Sequence, residues 1–307
     1  MAKRRKGRPL NGVVLVDKPS GYSSNGLLQK VRWLYQAQKA GHTGALDPAA
    51  TGLLPVCFGE ATKFTQFLLD ANKRYVTTGV LGATTDTLDS EGEVTEYFPV
   101  PDISTDELAG CLATRFVGAI QQIPPMYSAL KRDGKKLYEL AREGKTIDLK
   151  ARPVTIYGIE LLGMDMPEFT IDVQCSKGTY IRTLVADIGT ALGSGAYVKT
   201  LRRTEHGRFS LQQAVTLDQL IALQEAGKVE AMDQLIIPMD ELLSDYPAIE
   251  LNEKYSLLFG NGNDVHIADD SDAGMVRVYD FAGDFMGLGL LKVNQRLYPQ
   301  RLVNRQH

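Results

Sequence analysis

A strand pattern followed at once by a helix pattern is the feature of this sequence that most restricts its fold. In FTIDVQCS (169–176), apolar and polar side chains alternate, which is the period of a strand with one buried face. After a Lys-Gly turn, apolar residues at helical spacing predict a helix that begins near Tyr180 and ends at Gly193. Strand and helix patterns are interspersed from residue 10 to about residue 246. The sequence therefore predicts an α/β (α+β) domain around a mixed sheet.

The last sixty residues follow a different pattern. Three short strand patterns, MVRVYD, FMGLGLLK and RLYPQRLV, are separated by Gly and Asp turns. The preceding stretch, MDELLSDYPAIEL, is interpreted as a linker. We predict a basic disordered arm at 1–9, a main domain at 10–246 and a small β-barrel at 248–307. Within the main domain, ATTDTLDSEG (83–92) is predicted to be a polar, turn-rich connection.

The cellular compartment is predicted from patterns that the sequence lacks. No apolar run reaches the ~18 residues of a membrane span, and no apolar core follows the charged N-terminus, as it would in a secretory signal. Cys57, Cys111 and Cys175 are widely spaced and odd in number, which disfavours a disulfide framework. We therefore expect a cytoplasmic protein that has no membrane partner.

The distribution of charge suggests one basic face, although the formal net charge is −3. Residues 1–90 carry twelve Lys and Arg against six Asp and Glu, and residues 131–152 carry eight against four. Localised basic surface of this kind can bind phosphates on one side of a protein. Solvated helix faces would give the same distribution, so charge alone leaves both interpretations open.

The stretch GHTGALDPAATGLLP (41–55) sets one histidine and one carboxylate, His42 and Asp47, among small apolar residues. Pro48 stiffens the chain directly after the aspartate. A buried lone carboxylate is costly unless it is paired. Asp47 is therefore either a helix-capping residue or a nucleophile or base kept ionised by an arginine. Arg182, in the helix after the strand FTIDVQCS, is the candidate partner.

Metal and nucleotide motifs are missing from the sequence. It contains no Walker loop, no H-E-x-x-H, no Cys/His metal spacing and no G-x-G-x-x-G after a strand. His206, His266 and His307 lie in polar contexts and are predicted to be surface residues. We expect no metal site and no cofactor.

The motif GHTGALDPAATGLLPVCFGEATK resembles the catalytic motif of the TruB family of pseudouridine synthases, which isomerise the T-loop uridine of transfer RNA. VDKPSGYSS, KRYVTTGVLGATTDTLDSEG, IPPMYSALKRDGKKLYELAREG, CSKGTYIRTLVADIG and GAYVKTLRRTEHGRF resemble further blocks of the family in the same order. Together they cover most of 10–210. The last sixty residues resemble, less closely, the RNA-binding PUA-type barrel of bacterial members. Tyr197 stands where many members have histidine.

The resemblance implies a pseudouridine-synthase fold and assigns the two central residues. Asp47 would be the catalytic residue, and Arg182 its partner. The reaction breaks the C1′–N1 glycosidic bond of uridine (U55), turns the uracil over and rejoins it through C5. The carboxylate can attack C1′ or take the 2′ proton, and the sequence does not choose between these pathways.

The resemblance also assigns residues that bind the substrate. The target base must be flipped out of its stack, and His42 would fill the space that it leaves. Tyr75 would stack on the extruded base, and Tyr180 and Leu201 would line the uracil pocket. Lys18, with Pro19, matches a motif that supports the site, and we group it with the substrate-binding residues.

An insertion at about 124–152 would clamp the T-arm, mostly through phosphates. Its candidate backbone contacts are Lys131, Arg132, Lys135 and Lys136. The implied partner is transfer RNA, with no protein partner, and the chain is expected to be a monomer that could also assist transfer RNA folding.

Three alternatives compete with this prediction. The first is a pseudouridine synthase of another class that acts on ribosomal RNA, which the basic insertion and the terminal barrel disfavour. The second is an RNA-binding or RNA-folding module without catalysis, which intact Asp47, Tyr75 and Arg182 disfavour. The third is a hydrolase that uses Asp47 with His42, which the absence of a nucleophile-elbow motif makes remote.

Overall fold

The structure is a computed structural model that describes residues 7–132, 134–145, 147–267 and 272–304. Its strands are β1 (Gly12–Lys18), β2 (Ala40–His42), β3 (Thr51–Phe58), β4 (Lys73–Leu81), β5 (Ala83–Thr85), β6 (Val94–Tyr97), β7 (Gly118–Gln122), β8 (Lys131–Arg132), β9 (Lys135–Lys136), β10 (Arg152–Asp165), β11 (Glu168–Cys175), β12 (Ala196–His206), β13 (Phe209–Ser210), β14 (Val215–Thr216), β15 (Ala248–Glu250), β16 (Val265–His266), β17 (Gly274–Tyr279), β18 (Phe285–Leu291) and β19 (Arg296–Leu302).

The helices lie between these strands. The α-helices are α1 (Ser24–Leu34), α2 (Thr65–Asp70), α3 (Thr105–Arg115), α4 (Leu137–Arg142), α5 (Ile181–Ala191), α6 (Leu217–Glu225), α7 (Val229–Asp233) and α8 (Glu253–Gly260), with 3-10 turns at Gly59–Lys63, Leu211–Gln213 and Met239–Leu243.

A mixed sheet forms the centre of the molecule. Its strand order is β14–β1–β3–β12–β4–β11–β10–β7, with β2 paired to β3 and β13 to β12. Strand β4 is antiparallel to both β11 and β12, whereas β12 meets β3 in parallel. The parallel pairing of β3 with β12 brings the segment after the GHTGALDP motif beside the Leu201 region.

The strand and helix predicted from residue 169 onward are confirmed. Strand β11 alternates buried and partly exposed residues along most of its length. Helix α5 begins directly after Tyr180, and its buried stripe includes Leu184, Val185 and Ile188. These residues pack with Phe169, Ile171 and Val173 in one hydrophobic cluster. The packing fixes the first turn of α5, which carries Arg182, against the sheet.

The C-terminal strands form a sheet of their own. Its order is β15–β17–β18–β19–β16, and it curls into a half-barrel. This unit is packed firmly on the main body, since fully buried Leu288 lies in the same apolar cluster as Leu53 and Phe64. The Tyr279 hydroxyl donates to Asp240 at 2.7 Å, across the same junction.

Two sequence interpretations, of the linker and of the N-terminal arm, need correction. The predicted linker MDELLSDYPAIEL contains a 3-10 turn, in which Leu242 and Leu243 are buried, and strand β15, which pairs with β17. Residues 1–6 of the predicted arm lie outside the described residues, but Arg8 pairs with Ala37 in a β-bridge and with Asp233 in a salt bridge. Disorder over the whole of 1–9 is therefore wrong.

The surface prediction for the histidines holds for one residue and fails for another. His266 is exposed, as expected. His206 is fully buried, and its Nε2 bonds the Leu68 carbonyl oxygen at 2.7 Å. This burial lowers the pKa of His206 well below its ordinary value. His307 lies outside the described residues.

Candidate active site

The loop that carries Asp47 is held from two sides by buried polar side chains. Lys18, at the end of β1, is fully buried, and its Nζ donates to the carbonyl oxygens of Pro48 (2.9 Å) and Ala50 (2.6 Å). Ser24, in α1, uses its hydroxyl both to accept from the Leu46 amide at 2.7 Å and to donate to the Leu46 carbonyl at 3.0 Å. The loop is thus fixed immediately before and after the aspartate.

Glycine is required where this loop turns. Gly44 has a φ of +105°, which L side chains rarely adopt. Gly52, where β3 pairs with β12, has a φ of +101°, and a Cβ there would lie 2.3 Å from the Arg203 carbonyl oxygen. These two glycines let the loop approach β12 closely, and they explain why the motif is rich in small residues.

Arg182 and Asp47 form a two-point ion pair. Arg182 Nε lies 2.9 Å from Asp47 Oδ2, and its Nη2 donates to Oδ1 at 3.3 Å. The Arg182 side chain is 5% exposed and the Asp47 side chain 39% exposed. The arginine is therefore buried, and the aspartate lies on its solvent-accessible side. Arg182 was predicted from the sequence as a candidate partner of Asp47, and in the structure the two side chains are in contact.

The guanidinium is held by other groups as well. Arg182 donates to the carbonyl oxygens of Thr87 (2.8 Å) and Tyr127 (2.7 Å). A second carboxylate, Asp89, lies 3.5 Å from Nη1 and is buried. Asp89 was missed because it sits in the stretch interpreted only as a polar connection, where nothing in the pattern indicates an inward-facing acid.

Burial raises the pKa of Asp47 above its usual range, and neighbouring Asp89 acts in the same direction. Arg182 and Lys18 oppose the shift without cancelling it. Arg182 favours the charged form of Asp47, as the sequence interpretation held, but desolvation has the larger effect on this pKa. A carboxyl group with a raised pKa is a better proton acceptor than an exposed one.

A cavity of about 340 Å³ opens beside the ion pair. The predicted site residues that line it are Asp47, Tyr75, Tyr180, Arg182 and Leu201. Tyr75 is buried on β4, and Leu201 lies opposite Thr77 on the neighbouring strand β12. These residues come from four separate segments of the chain, and their convergence makes the cavity a candidate substrate pocket.

Arg203 is a site residue that the sequence reasoning missed. It is 1% exposed, lines the cavity, and donates through Nε to the Leu53 carbonyl at 2.7 Å. Burial raises the pKa of Tyr75, and the adjacent Arg203 opposes that shift. A signal was present: Arg203 is two residues after Leu201 in a strand, so both side chains share one face.

Lys18 and His42 do not line this cavity. All three hydrogen bonds of Lys18 go to backbone carbonyls (the third to Pro19 at 3.1 Å), so its placement favours the supporting role over contact with substrate. His42, at the end of β2, is half-buried, and burial lowers its pKa. Its Nδ1 is buried without a hydrogen-bond partner in the described part of the chain.

The insertion forms a small basic hairpin, β8–β9, followed by α4. Lys131 and Lys135 are exposed, and Lys135 lies 3.5 Å from Glu143. Lys136 Nζ donates to the Tyr138 hydroxyl at 3.2 Å. The backbone of Arg132 lies in β8, which places it beside the other three basic residues.

Within the residues described, no helix is long and apolar enough to cross a membrane. The same residues contain no group of three or more His, Cys, Asp or Glu arranged to hold a metal ion.

Comparison with known protein families shows which family this chain belongs to. A model described as TruB family pseudouridylate synthase (N terminal domain) matches residues 32–181, the tRNA pseudouridylate synthase B C-terminal domain matches 182–244, and Pseudouridine synthase II TruB, C-terminal, matches 247–303. The tRNA pseudouridine synthase B of Pseudomonas fluorescens (strain Pf0-1) is 50% identical over 303 residues, which are 99% of each chain. The chain belongs to the TruB family.

A second relative and two solved structures are also similar to this chain. The tRNA pseudouridine synthase B of Pseudomonas aeruginosa (strain UCBPP-PA14) is 48% identical and covers 98% of both chains. A chain from the crystal structure of a Cbf5-Nop10-Gar1 complex matches at a TM-score of 0.70 and 27% identity, over 92% of this chain and 79% of that one. A chain from an H/ACA RNP bound to a substrate RNA shares the fold at a TM-score of 0.73 and 23% identity, over 98% and 91%.

Proposed function

We propose that this TruB-family enzyme converts the T-loop uridine (U55) of transfer RNA to pseudouridine, with Asp47 as the catalytic residue. The observation that carries the proposal is the Arg182–Asp47 ion pair at the edge of a 340 Å³ cavity. The 50% identity to relatives named tRNA pseudouridine synthase B supports transfer RNA as the substrate.

The chemistry requires one well-placed carboxylate. Asp47 either attacks C1′ or accepts the 2′ proton, and in both cases the C1′–N1 bond breaks with its electrons going to uracil. The freed uracil turns over within the pocket and C5 bonds to C1′, which breaks the Asp47–C1′ ester in the first pathway or is accompanied by return of the proton from Asp47 to C2′ in the second. The C5 proton is then lost to a base, and N1 gains a proton, so uracil ends neutral. Atoms and electrons balance without an oxidant, because the reaction is an isomerisation.

The remaining site residues handle the flipped nucleotide. Tyr75 offers an aromatic face for the extruded base, Leu201 and Tyr180 line the pocket, and His42 fills the gap left in the RNA stack. Arg182 keeps Asp47 aimed at the sugar. Lys18 acts by fixing the backbone after Asp47.

Binding of the RNA is assigned to two further regions. The basic residues of the insertion (124–152) contact phosphates of the T-arm, and the unit at 248–307 acts as a PUA-like RNA-binding domain beside a catalytic domain at 10–246. The enzyme works as a cytoplasmic monomer without a protein partner, and its grip on the RNA also assists transfer RNA folding.

The proposal is tested by mapping pseudouridine in unmodified transfer RNA after incubation with the protein. We expect one new pseudouridine, at the T-loop position. Product elsewhere, or in ribosomal RNA alone, would support the other class of synthase. Tight RNA binding without any product would support a non-catalytic RNA-folding module.

A further inference from the structure

Gln122, the last residue of β7, makes an unusual contact with the start of helix α5. Its side chain is 2% exposed. The Oε1 atom accepts from the Tyr180 amide at 3.0 Å, and Nε2 donates to the Tyr180 carbonyl oxygen at 3.2 Å. One carboxamide therefore satisfies both backbone polar groups of a residue 58 positions away.

Tyr180 is the N-cap residue of α5, and its own side chain makes no capping hydrogen bond. Its carbonyl also accepts the first helical bond, from the Leu184 amide at 3.0 Å. An N-cap without a side-chain cap leaves the entry of a helix weakly defined. Gln122, at the end of β7, fixes the backbone of Tyr180 in place of a side-chain cap. Tyr180 lies two residues before Arg182.

Two more contacts join the same segments. The Ile123 carbonyl oxygen accepts from the Thr183 hydroxyl at 3.4 Å, and the Tyr127 carbonyl oxygen accepts from Arg182 Nη2 at 2.7 Å. Gln122 and two residues that follow β7 therefore hold the start of α5 through Tyr180, Arg182 and Thr183. Gln122 is the one side chain among these three acceptors, so it can be changed without altering the backbone.

We propose that Gln122 is a positioning residue, which holds the first turn of α5 so that the Arg182 guanidinium meets both oxygens of Asp47. The proposal rests on the function proposed for Asp47. Gln122 makes no hydrogen bond to the ion pair and does not itself line the cavity, so it acts through the backbone of Tyr180, two residues before Arg182. A displacement of about 1 Å at a reacting group can cost on the order of 100-fold in rate.

The test compares Gln122→Met with a control at the other end of the same helix. Methionine has a similar volume and removes both hydrogen bonds. Ser194 follows the C-terminal end of α5, is buried, accepts from the Gly82 amide (3.1 Å) and donates to the Pro99 carbonyl (3.1 Å). Ser194→Ala therefore removes two comparable buried hydrogen bonds just beyond the C-terminal end of α5, away from Arg182.

Single-turnover rates on saturating T-arm RNA give the first measurement. We expect Gln122→Met to lower the rate between about tenfold and 100-fold and to leave RNA affinity within about threefold. Ser194→Ala should lower thermal stability and leave the rate within about threefold. Equal rates in Gln122→Met and wild type would overturn the proposal, as would an equal loss in the control.

The second measurement needs no substrate, so it separates this proposal from the proposed reaction. The charged groups that face Asp47 are Arg182, Asp89 and Lys18. Of these, Arg182 is the one that Gln122 positions. Its displacement should move the Asp47 carboxyl titration, followed by carbon NMR in free protein, to higher pH. An unmoved titration would overturn the proposal even if catalysis were lost.

If Gln122→Met does not fold, Gln122→Asn provides the same comparison. Its amide is one methylene shorter and cannot reach both Tyr180 groups from the same backbone position. We expect the same direction of shift in the titration, with a smaller loss of rate, and an unchanged titration would again overturn the proposal.

Discussion

At the scale of single residues, the ion pair is asymmetric. Arg182 is 5% exposed and also bonds two backbone carbonyls, whereas Asp47 is 39% exposed and has contacts to one side chain. The arginine is therefore fixed by the protein and does not depend on the aspartate for its position. A change of charge at Asp47 therefore leaves Arg182 with its two backbone partners.

Asp47→Asn tests the catalytic assignment directly. The amide has nearly the same shape, so the loop held by Lys18 and Ser24 should persist, but an amide can act neither as nucleophile nor as base. We expect no pseudouridine in single-turnover assays, with RNA affinity close to that of the wild type. A rate within tenfold of the wild type would show that Asp47 is not the catalytic group.

The pH dependence of the rate should reflect the raised pKa of Asp47. Both pathways require the carboxylate, so the rate should fall as pH drops through that pKa, and the fall should begin at a higher pH than for an ordinary aspartate. The measurement is the single-turnover rate between about pH 4 and 8, around the usual carboxyl range. A rate still level at the ordinary aspartate pKa would contradict the expectation.

Arg182→Met should remove activity for a different reason. Without the guanidinium, the pKa of Asp47 should rise further, because burial and Asp89 then act almost unopposed. The carbonyl oxygens of Thr87 and Tyr127 would also lose their donors, at a cost of about 1–3 kcal/mol in the free energy of unfolding. Chemical denaturation and single-turnover assays measure the two effects. Full stability together with lost activity would mean that these carbonyls find other donors.

The contact between Asp47 and Arg182 could be predicted from the sequence, whereas some of the residues around it could not. Asp47 stood out because a lone carboxylate in an apolar segment needs a partner, and Arg182 lay on the first turn of a predictable helix. Asp89 and Gln122 could not be found, because their roles depend on long-range contacts with α5 that no local pattern encodes. The buried position of His206 was missed for the same reason, since its partner is the Leu68 backbone.

At the scale of elements, the fold was predictable where periodicity is strong. Strand β11 and helix α5 follow their patterns closely, and the capping box at Ser104 starts α3 as such boxes do. The order of the strands was not predictable, because β12 returns between β3 and β4 through a parallel contact of two residues. The position of β12 between β3 and β4 places Leu201 and Arg203 in the lining of the candidate substrate pocket.

The insertion is the element whose charges are tested most simply. Lys135 is exposed, and Lys136 is partly exposed beside Tyr138. If both contact phosphates, Lys135→Gln with Lys136→Gln should flatten the plot of log affinity against log salt by up to about one unit per lost contact. Lys228→Gln, an exposed lysine outside the insertion, is the control. An unchanged slope in the double variant would mean that these lysines face solvent in the complex.

At the scale of the whole molecule, the two sheets are less independent than the sequence suggests. The terminal strands were predicted to form a separate small β-barrel, and Leu288 of β18 is fully buried among side chains of the main body. The Phe64 and Phe285 rings lie 5.7 Å apart. Lys63 Nζ also donates to the Leu302 carbonyl at 2.9 Å. A shared apolar cluster of this kind couples the stability of both units.

We therefore expect the full chain to unfold in one cooperative transition. Leu288→Ala should remove about 2–5 kcal/mol, the usual cost of a buried leucine, and should lower the midpoint of the whole protein instead of splitting the transition. Val293→Ala, in the same unit but 91% exposed, should change the midpoint little. Calorimetry gives the number of unfolding transitions and their midpoints. Ring-current-shifted NMR signals from both sheets show whether the two sheets unfold together. Two separate transitions in the wild type, with Leu288→Ala moving only one of them, would mean that the terminal unit folds independently and that the buried junction contributes little to the stability of the main body.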